Sequence, residues 1–240
     1  MNTRILLSAL AGLVLSGHAV AVTLYANDFD GGVDVDGGVG VAGFTNGGLD
    51  SATVGSWNAD GWSGSVFRNT STGDPALLSE LTLSNLAPHS AVEIDFLLGL
   101  LESWDSSDGG CCAPDWLDIY IDSSLAASLT TNNALGTVED YDGGTELYEG
   151  VQINGGSYYY SDALIDMSTA GFLSFAHTGS TLTLGLQARG GGWQGGDDES
   201  WGIDSLQISY DGQRSEVPLP GTLPLLGIGL AGLGLARRRP

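Results

Sequence analysis

Several stretches of the chain alternate apolar and polar side chains with a period of two. Val92, Ile94, Phe96 and Leu98 are interleaved with Glu93 and Asp95; Leu117, Ile119 and Ile121 with Asp118, Tyr120 and Asp122; and Leu182, Leu184 and Leu186 with Thr183 and Gly185. A strand with one buried face has this signature, because successive side chains point to opposite sides of the pleat. Shorter segments at 23–27, 79–83, 172–177 and 201–210 read as further strands, and no comparable 3.6-residue period occurs outside the two termini. The 38 glycines, with many Ser, Thr, Asn and Asp, supply the turns. Two half-apolar sheets bury their faces on each other. The pattern therefore predicts an all-β fold over residues 22–212, an antiparallel two-sheet sandwich of the jelly-roll kind. A length of 240 residues suits one such domain with a signal at each end.

The ends carry a different pattern. Arg4, the apolar run 5–15 and Ala19-Val20-Ala21 make residues 1–21 a secretory signal helix cleaved after Ala21. Its apolar run is well short of the roughly 20 residues that span a bilayer. Residues 213–240 form a linker and a tail. Val217-Pro218-Leu219-Pro220 leads into a Gly- and Leu-rich apolar helix at 223–236, and Arg237, Arg238 and Arg239 follow it. Arginines stay on the cytoplasmic side, so this tail holds an exported chain in the membrane by a short transmembrane helix. Pro-x-Pro, an apolar helix and a terminal arginine cluster together resemble the PEP-CTERM sorting signal, whose substrates are processed by a membrane protease, exosortase. Leu219 stands where that signal usually has Glu, which is similar to its VPLPA-type variant. The resemblance implies export through the inner membrane of a Gram-negative-type envelope, transient anchoring, and a destination at the cell surface or in the extracellular matrix.

Charge narrows the partners of the intervening domain. The chain has 29 Asp and Glu against seven Arg, with no Lys, for a net charge of −22. Four of the arginines lie in the terminal segments, so the span 22–216 carries 29 acids and three arginines, a net −26. Nucleic acid and anionic lipid headgroups both require Lys and Arg to neutralise phosphate, and are excluded as partners of that span. Membrane contact is left to the tail. A hydrophobic fraction of 42%, with six Trp, eight Tyr and six Phe, separates the chain from disordered acidic sequences. The acidity then serves solubility or holds divalent cations.

Calcium takes six to eight oxygen ligands, from carboxylates and carbonyls. Two clusters offer them: Asp197, Asp198 and Glu199 with Asp204, and Glu102, Asp105 and Asp108 after the longest alternating strand. The competing reading is solvated loop acids in a chain that has acids throughout. Asn27-Asp28-Phe29-Asp30-Gly31-Gly32, Ser103-Trp104-Asp105 and the run from Asp198 to Asp204 are similar to segments of jelly-roll carbohydrate-binding modules. That second resemblance implies a structural calcium ion shared by Asp28, Asp30 and Asp204.

Other chemistry is thinner. Cys111 and Cys112 are adjacent, with Cα atoms about 3.8 Å apart, below the usual disulfide range. A strained vicinal disulfide, two free thiols and intermolecular bridges remain open readings. Zinc is disfavoured, since the chain has no other cysteine and His89 and His177 read as isolated. A carboxylate pair could hydrolyse a glycosidic bond, but 29 acids offer such pairs by chance. Neither histidine lies in a nucleophile motif, and no glycine-rich phosphate loop carries a Lys. Aromatic rings can stack on sugars: Trp57 and Trp62 in a Gly/Ser-rich loop, Tyr159 in Tyr158-Tyr159-Tyr160, and Trp193 among glycines. Trp104, Trp116 and Trp201, at strand ends, read instead as closing the core. The sequence thus reads as an exported, non-enzymatic, calcium-stabilised binding or adhesion module associated with exopolysaccharide. Alternatives are a secreted glycan-active hydrolase and a ligand-free structural matrix protein.

Overall fold

A computed structural model describes residues 21–51, 61–110, 113–151 and 162–211. The signal helix up to residue 20, Trp57, Cys111, Cys112, Tyr159 and the tail from 212 onward lie outside the described residues, including Val217, Pro218, Leu219, Pro220, Arg237, Arg238 and Arg239. The strands are β1 (Val22–Asn27), β2 (Val33–Val35), β3 (Gly40–Ala42), β4 (Gly48–Ser51), β5 (Ser65–Asn69), β6 (Ser79–Ser84), β7 (Ala91–Glu102), β8 (Trp116–Ile121), β9 (Ser124–Leu129), β10 (Thr145–Val151), β11 (Asp162–Asp166), β12 (Ser174–Ala176), β13 (Thr181–Arg189) and β14 (Glu199–Tyr210). They form two antiparallel sheets. The larger runs β10-β11-β7-β14-β1-β2, with β12 beside β7 and the β4–β5 hairpin beside β14; the smaller runs β3-β6-β13-β8-β9. Among the described residues no helix is long and apolar enough to cross a membrane.

The alternating positions face the core. Val92, Ile94, Phe96, Leu98 and Leu100 of β7 meet Leu81 and Leu83 of β6, Leu117 and Ile119 of β8, and Leu182, Leu184 and Leu186 of β13 in one buried cluster. From Leu97 onward β7 stops alternating because its other face is covered too: Trp62, Val66, Leu97, Leu101 and Leu164 form a second, smaller cluster there. Trp62 lies on the backbone at Gly99 and Gly202, where an added Cβ would sit 2.7 and 3.3 Å from its Cη2. Replacing Gly99 with Ala is expected to displace the indole and destabilise the fold by about 1–3 kcal/mol, as overpacking does. Urea denaturation measures this, and an unchanged midpoint would refute the close packing.

Two strands depart from the simple pattern. In β14 the inward residues are Trp201 and Ile203, then Leu206, Ile208 and Tyr210. The parity changes at a bulge between Asp204 and Gln207, where Ser205 adopts φ +52°. The segment expected as a strand over 172–177 is shorter: Met167–Thr169 and Gly171–Leu173 are 3₁₀ turns, and only Ser174–Ala176 pairs with β7. That pairing also corrects the reading of isolated histidines. His89 Nε2 and His177 Nδ1 are 2.6 Å apart with stacked rings, and His177 Nε2 lies 3.2 Å from Asp122 Oδ2. Residues 88 positions apart meet because β12 returns alongside the start of β7.

Candidate functional site

β7 and β14 pair along their length in a register that sets Glu102 opposite Glu199. The chain leaving β7 then binds back to the start of β14. Ser103 donates its N–H and its hydroxyl to the Asp198 carbonyl at 3.0 and 2.9 Å, and the same hydroxyl lies 3.0 Å from Asp198 Oδ1. Trp104 Nε1–H donates to the Ser200 carbonyl at 2.9 Å. Asp105 and Asp115, which precedes β8, are tied reciprocally: Asp115 N–H donates to the Asp105 carbonyl at 2.8 Å, and Asp105 N–H to Asp115 Oδ2 at 2.7 Å. Members of both acidic clusters read from the sequence therefore share one end of the sandwich, joined by Asp115.

These acids are deeply buried: Asp115 is 0% exposed, Glu199 1%, Glu102 2% and Asp105 6%. Glu199 Oε2 accepts the N–H groups of Gln194 and Gly195 at 2.5 and 3.0 Å. Oδ1 of Asp105 and Oδ1 of Asp115 are buried without a hydrogen-bond partner. Burial above all, then the charges of Glu199, Asp105 and Asp198, pushes the Asp115 carboxyl up to about 8. Burial likewise raises Asp105, with Asp198 adding to it, and Glu199, where Asp198 and Asp105 add to it. The described arginines are engaged elsewhere: Arg68 with Asp50 and Ser200, Arg189 with Asp118 and Ser128.

Two other predicted ligands stay apart from this group. Asp108 is exposed; the Ser106 hydroxyl donates to its Oδ1, which also accepts the N–H groups of Thr137 and Val138 at 2.8 and 3.2 Å while its Oδ2 accepts the Thr137 hydroxyl, and these bonds hold its carboxyl well below the usual range. Asp197 is exposed in the turn before β14.

The acids carried over from carbohydrate-binding modules form a separate group. Asp204 is buried, and burial, with Asp30 and Asp28 adding their charge, raises its carboxyl to about 6. Its Oδ2 accepts Ser63 N–H at 3.0 Å and its Oδ1 accepts Ser205 N–H at 2.6 Å. Asp30 Oδ1 accepts Ser65 N–H at 2.6 Å, beside Gly64 at φ +65°, and Asp28 Oδ1 accepts Asp30 N–H at 3.1 Å. Asp30 and Asp204 thus fasten the backbone of the 63–65 turn, and Asp28 holds the N–H of Asp30. Among the described residues, the acids whose ligand oxygens all lie within 4.8 Å of one another are Glu139, Glu146 and Glu149, all exposed.

The aromatic candidates lie elsewhere than expected. Trp193 is only 6% exposed, donates Nε1–H to the Ser71 carbonyl at 3.0 Å and packs edge-on against Trp104 at 5.2 Å. Trp62 is buried against the larger sheet. Neither presents a free stacking face, because burying a large ring and pairing its N–H outweighs the flexibility of flanking glycines. An open cavity of about 320 Å³ lies on the outer face of the larger sheet, lined by Asp95, Leu97, Leu147, Asp166, Ser168 and Ser205, with Phe96. Burial, then the charges of Glu93 and Asp166, raises the Asp95 carboxyl.

Fold and site together define an antiparallel two-sheet β protein with an acid-rich end and an acidic groove on one outer face. Residues 216–239 match the PEP-CTERM protein-sorting motif. The match supports an exosortase-processed cell-surface protein, exported and held transiently in the membrane by its C-terminal tail. No curated protein matches the chain.

Proposed function

We propose that residues 22–212 form a calcium-stabilised, non-enzymatic binding or adhesion module of the jelly-roll, carbohydrate-binding type, which associates with exopolysaccharide. A signal over 1–21 exports it, and a VPLPA-type tail over 213–240 delivers it to the surface or matrix of a Gram-negative-type cell. The observation that carries the ligand class is the groove on the larger sheet. Asp95, Asp166, Ser168 and Ser205 supply acceptors and donors for sugar hydroxyls, while Leu97 and Leu147 offer apolar surface for the C–H faces of the ring. Asp166 Oδ1 already accepts Ser168 N–H at 2.9 Å, which fixes its carboxylate at the rim.

The test is binding of the secreted domain to bacterial exopolysaccharides and a glycan array, with Asp95→Asn and Asp166→Asn as variants. Loss of one charged hydrogen bond is expected to weaken binding about tenfold. Binding unaffected by either variant would remove the groove from the ligand site, and absence of binding by the wild type would favour a ligand-free matrix protein. Release of reducing ends from any bound glycan would make the Asp95–Asp166 pair a hydrolase's acid and base.

A further inference from the structure

We propose that the acid-rich end of the sandwich is a divalent-cation site, with Asp105, Asp115 and Glu199 as its carboxylate ligands and calcium as its ion. The proposal rests on the reading of a calcium-stabilised module and locates the ion, and it is independent of any polysaccharide.

Electrostatics sets the problem. Taking an ionised carboxylate out of water costs several kcal/mol unless a counter-charge compensates. Four carboxylates, those of Glu102, Asp105, Asp115 and Glu199, are at least nine-tenths buried at this end, while Arg68 and Arg189 are committed to other partners. Such a group must either take up protons or bind a cation.

The second observation is the pair of unpartnered oxygens. Oδ1 of Asp105 and Oδ1 of Asp115 are buried and meet no donor. The reciprocal bonds hold the two residues together, with Asp115 Oδ2 already spent on Asp105 N–H and the Asp105 carbonyl on Asp115 N–H. A buried acceptor without a donor is destabilising, and a cation bound between these two would remove that cost.

Donor chemistry selects the ion. The ligands are all oxygen, with no Cys or His among them, which suits hard cations over transition metals. They come from three places in the chain: the exit of β7, the entry to β8 and the first residue of β14. Calcium accepts irregular six- to eight-coordinate shells, completed by carbonyls and water, whereas magnesium demands a near-ideal octahedron. The oxygens are wider apart than those of Glu139, Glu146 and Glu149, which lie within 4.8 Å of one another. Closing on the ion brings them in and ties the β7–β8 connection to the start of β14. The alternative group is less available, since Asp30 and both oxygens of Asp204 accept backbone N–H groups.

The experiment uses the full exported chain in EDTA and in millimolar calcium. With an affinity typical of extracellular modules, about 10⁻⁴ M, calcium is expected to raise Tm by about 5 °C or more. Terbium, substituted for calcium, should luminesce through energy transfer from Trp104, next to Asp105, and calcium should quench it competitively. Asp115→Asn and Asp105→Asn are expected to fold in EDTA with Tm at or above the wild-type value, because a buried charge is gone, and to lose both the calcium shift and the terbium signal. Glu149→Gln and Asp204→Asn should keep both. If the asparagine variants fail to fold, wild-type terbium luminescence and its loss in Glu199→Gln decide the matter. Absence of both a shift and a terbium signal in the wild type would overturn the site. A shift abolished by Glu149→Gln or Asp204→Asn, and retained in Asp115→Asn, would overturn this location while leaving a calcium-stabilised module intact.

Discussion

Replacing Trp201 with alanine is expected to destabilise the domain by about 3–5 kcal/mol, a typical loss for a buried tryptophan. The ring is fully buried on the inner face of β14, tilted against Phe67 at 6.1 Å between centroids. Its backbone lies where β14 pairs with β7 on one side and β5 on the other, opposite Leu100 and Asn69. A cavity there undermines both junctions. Trp201→Phe should behave differently. The indole Nε1 of Trp201 is buried without a partner, so removing that N–H offsets part of the lost volume, and the loss should stay below about 1.5 kcal/mol. Trp104→Phe forfeits a real hydrogen bond, to the Ser200 carbonyl at 2.9 Å, and should cost about 1–3 kcal/mol beyond its volume. Urea melts of the three variants give the order directly. Equal losses for the two phenylalanine variants would mean that the indole N–H of Trp201 finds an acceptor in solution.

How far the sequence carried this picture depends on how many faces of each strand are covered. β6, β13 and the first half of β7 alternate because one face is buried and the other more open, and β8 alternates although Asp118 on its outer face is buried, bonded to Arg189 and Ser128; these strands were legible. β11 was not: Ala163 and Ile165 face the main core while Leu164 faces the second cluster, so its apolar run carries no period. The bulge in β14 hid the inward face of its second half by shifting parity, since one extra residue exchanges the two sides of a strand. At the acid-rich end, Glu102, Asp105, Asp198 and Glu199 were visible as two acidic runs, but their meeting depends on the β7–β14 register. Asp115 was invisible, being a single acid between Pro114 and Trp116 at a strand entry, where a solvated turn residue looks the same. Trp193 shows the opposite error. Its glycines suggested a mobile loop, whereas Gly195 at φ +69° and Gly190 at φ +135° let the chain fold the ring inward.

The second large effect is the response to pH, and its sign separates this domain from most acidic proteins. In EDTA, stability is expected to fall as pH rises from about 4 to 8. Unfolded carboxyls titrate near 4. In the folded chain burial raises Asp204 to about 6 and Asp115 to about 8. Between the unfolded and folded values the native state holds protons that the unfolded state has released, so each unit of rising pH favours unfolding until the folded value is passed. Asp211 acts in the other direction: hydrogen bonds from Ser90 and Ala91 lower its carboxyl to about 2, so its contribution is present above pH 4 and lost on acidification toward 2. Maximum stability in EDTA should therefore fall near pH 4–5, with Tm lower by about 10 °C or more at pH 8. Asp204→Asn should lessen the slope between pH 4 and 6, and Asp115→Asn should lessen it over the whole limb from 4 to 8. Calcium should abolish the alkaline limb, because a divalent ion then compensates the charge that a proton compensates at lower pH. Calorimetric scans at pH 4.5, 6 and 8 with either additive check this, and a Tm in EDTA that climbs toward pH 8 would show the buried acids to be compensated by the protein alone.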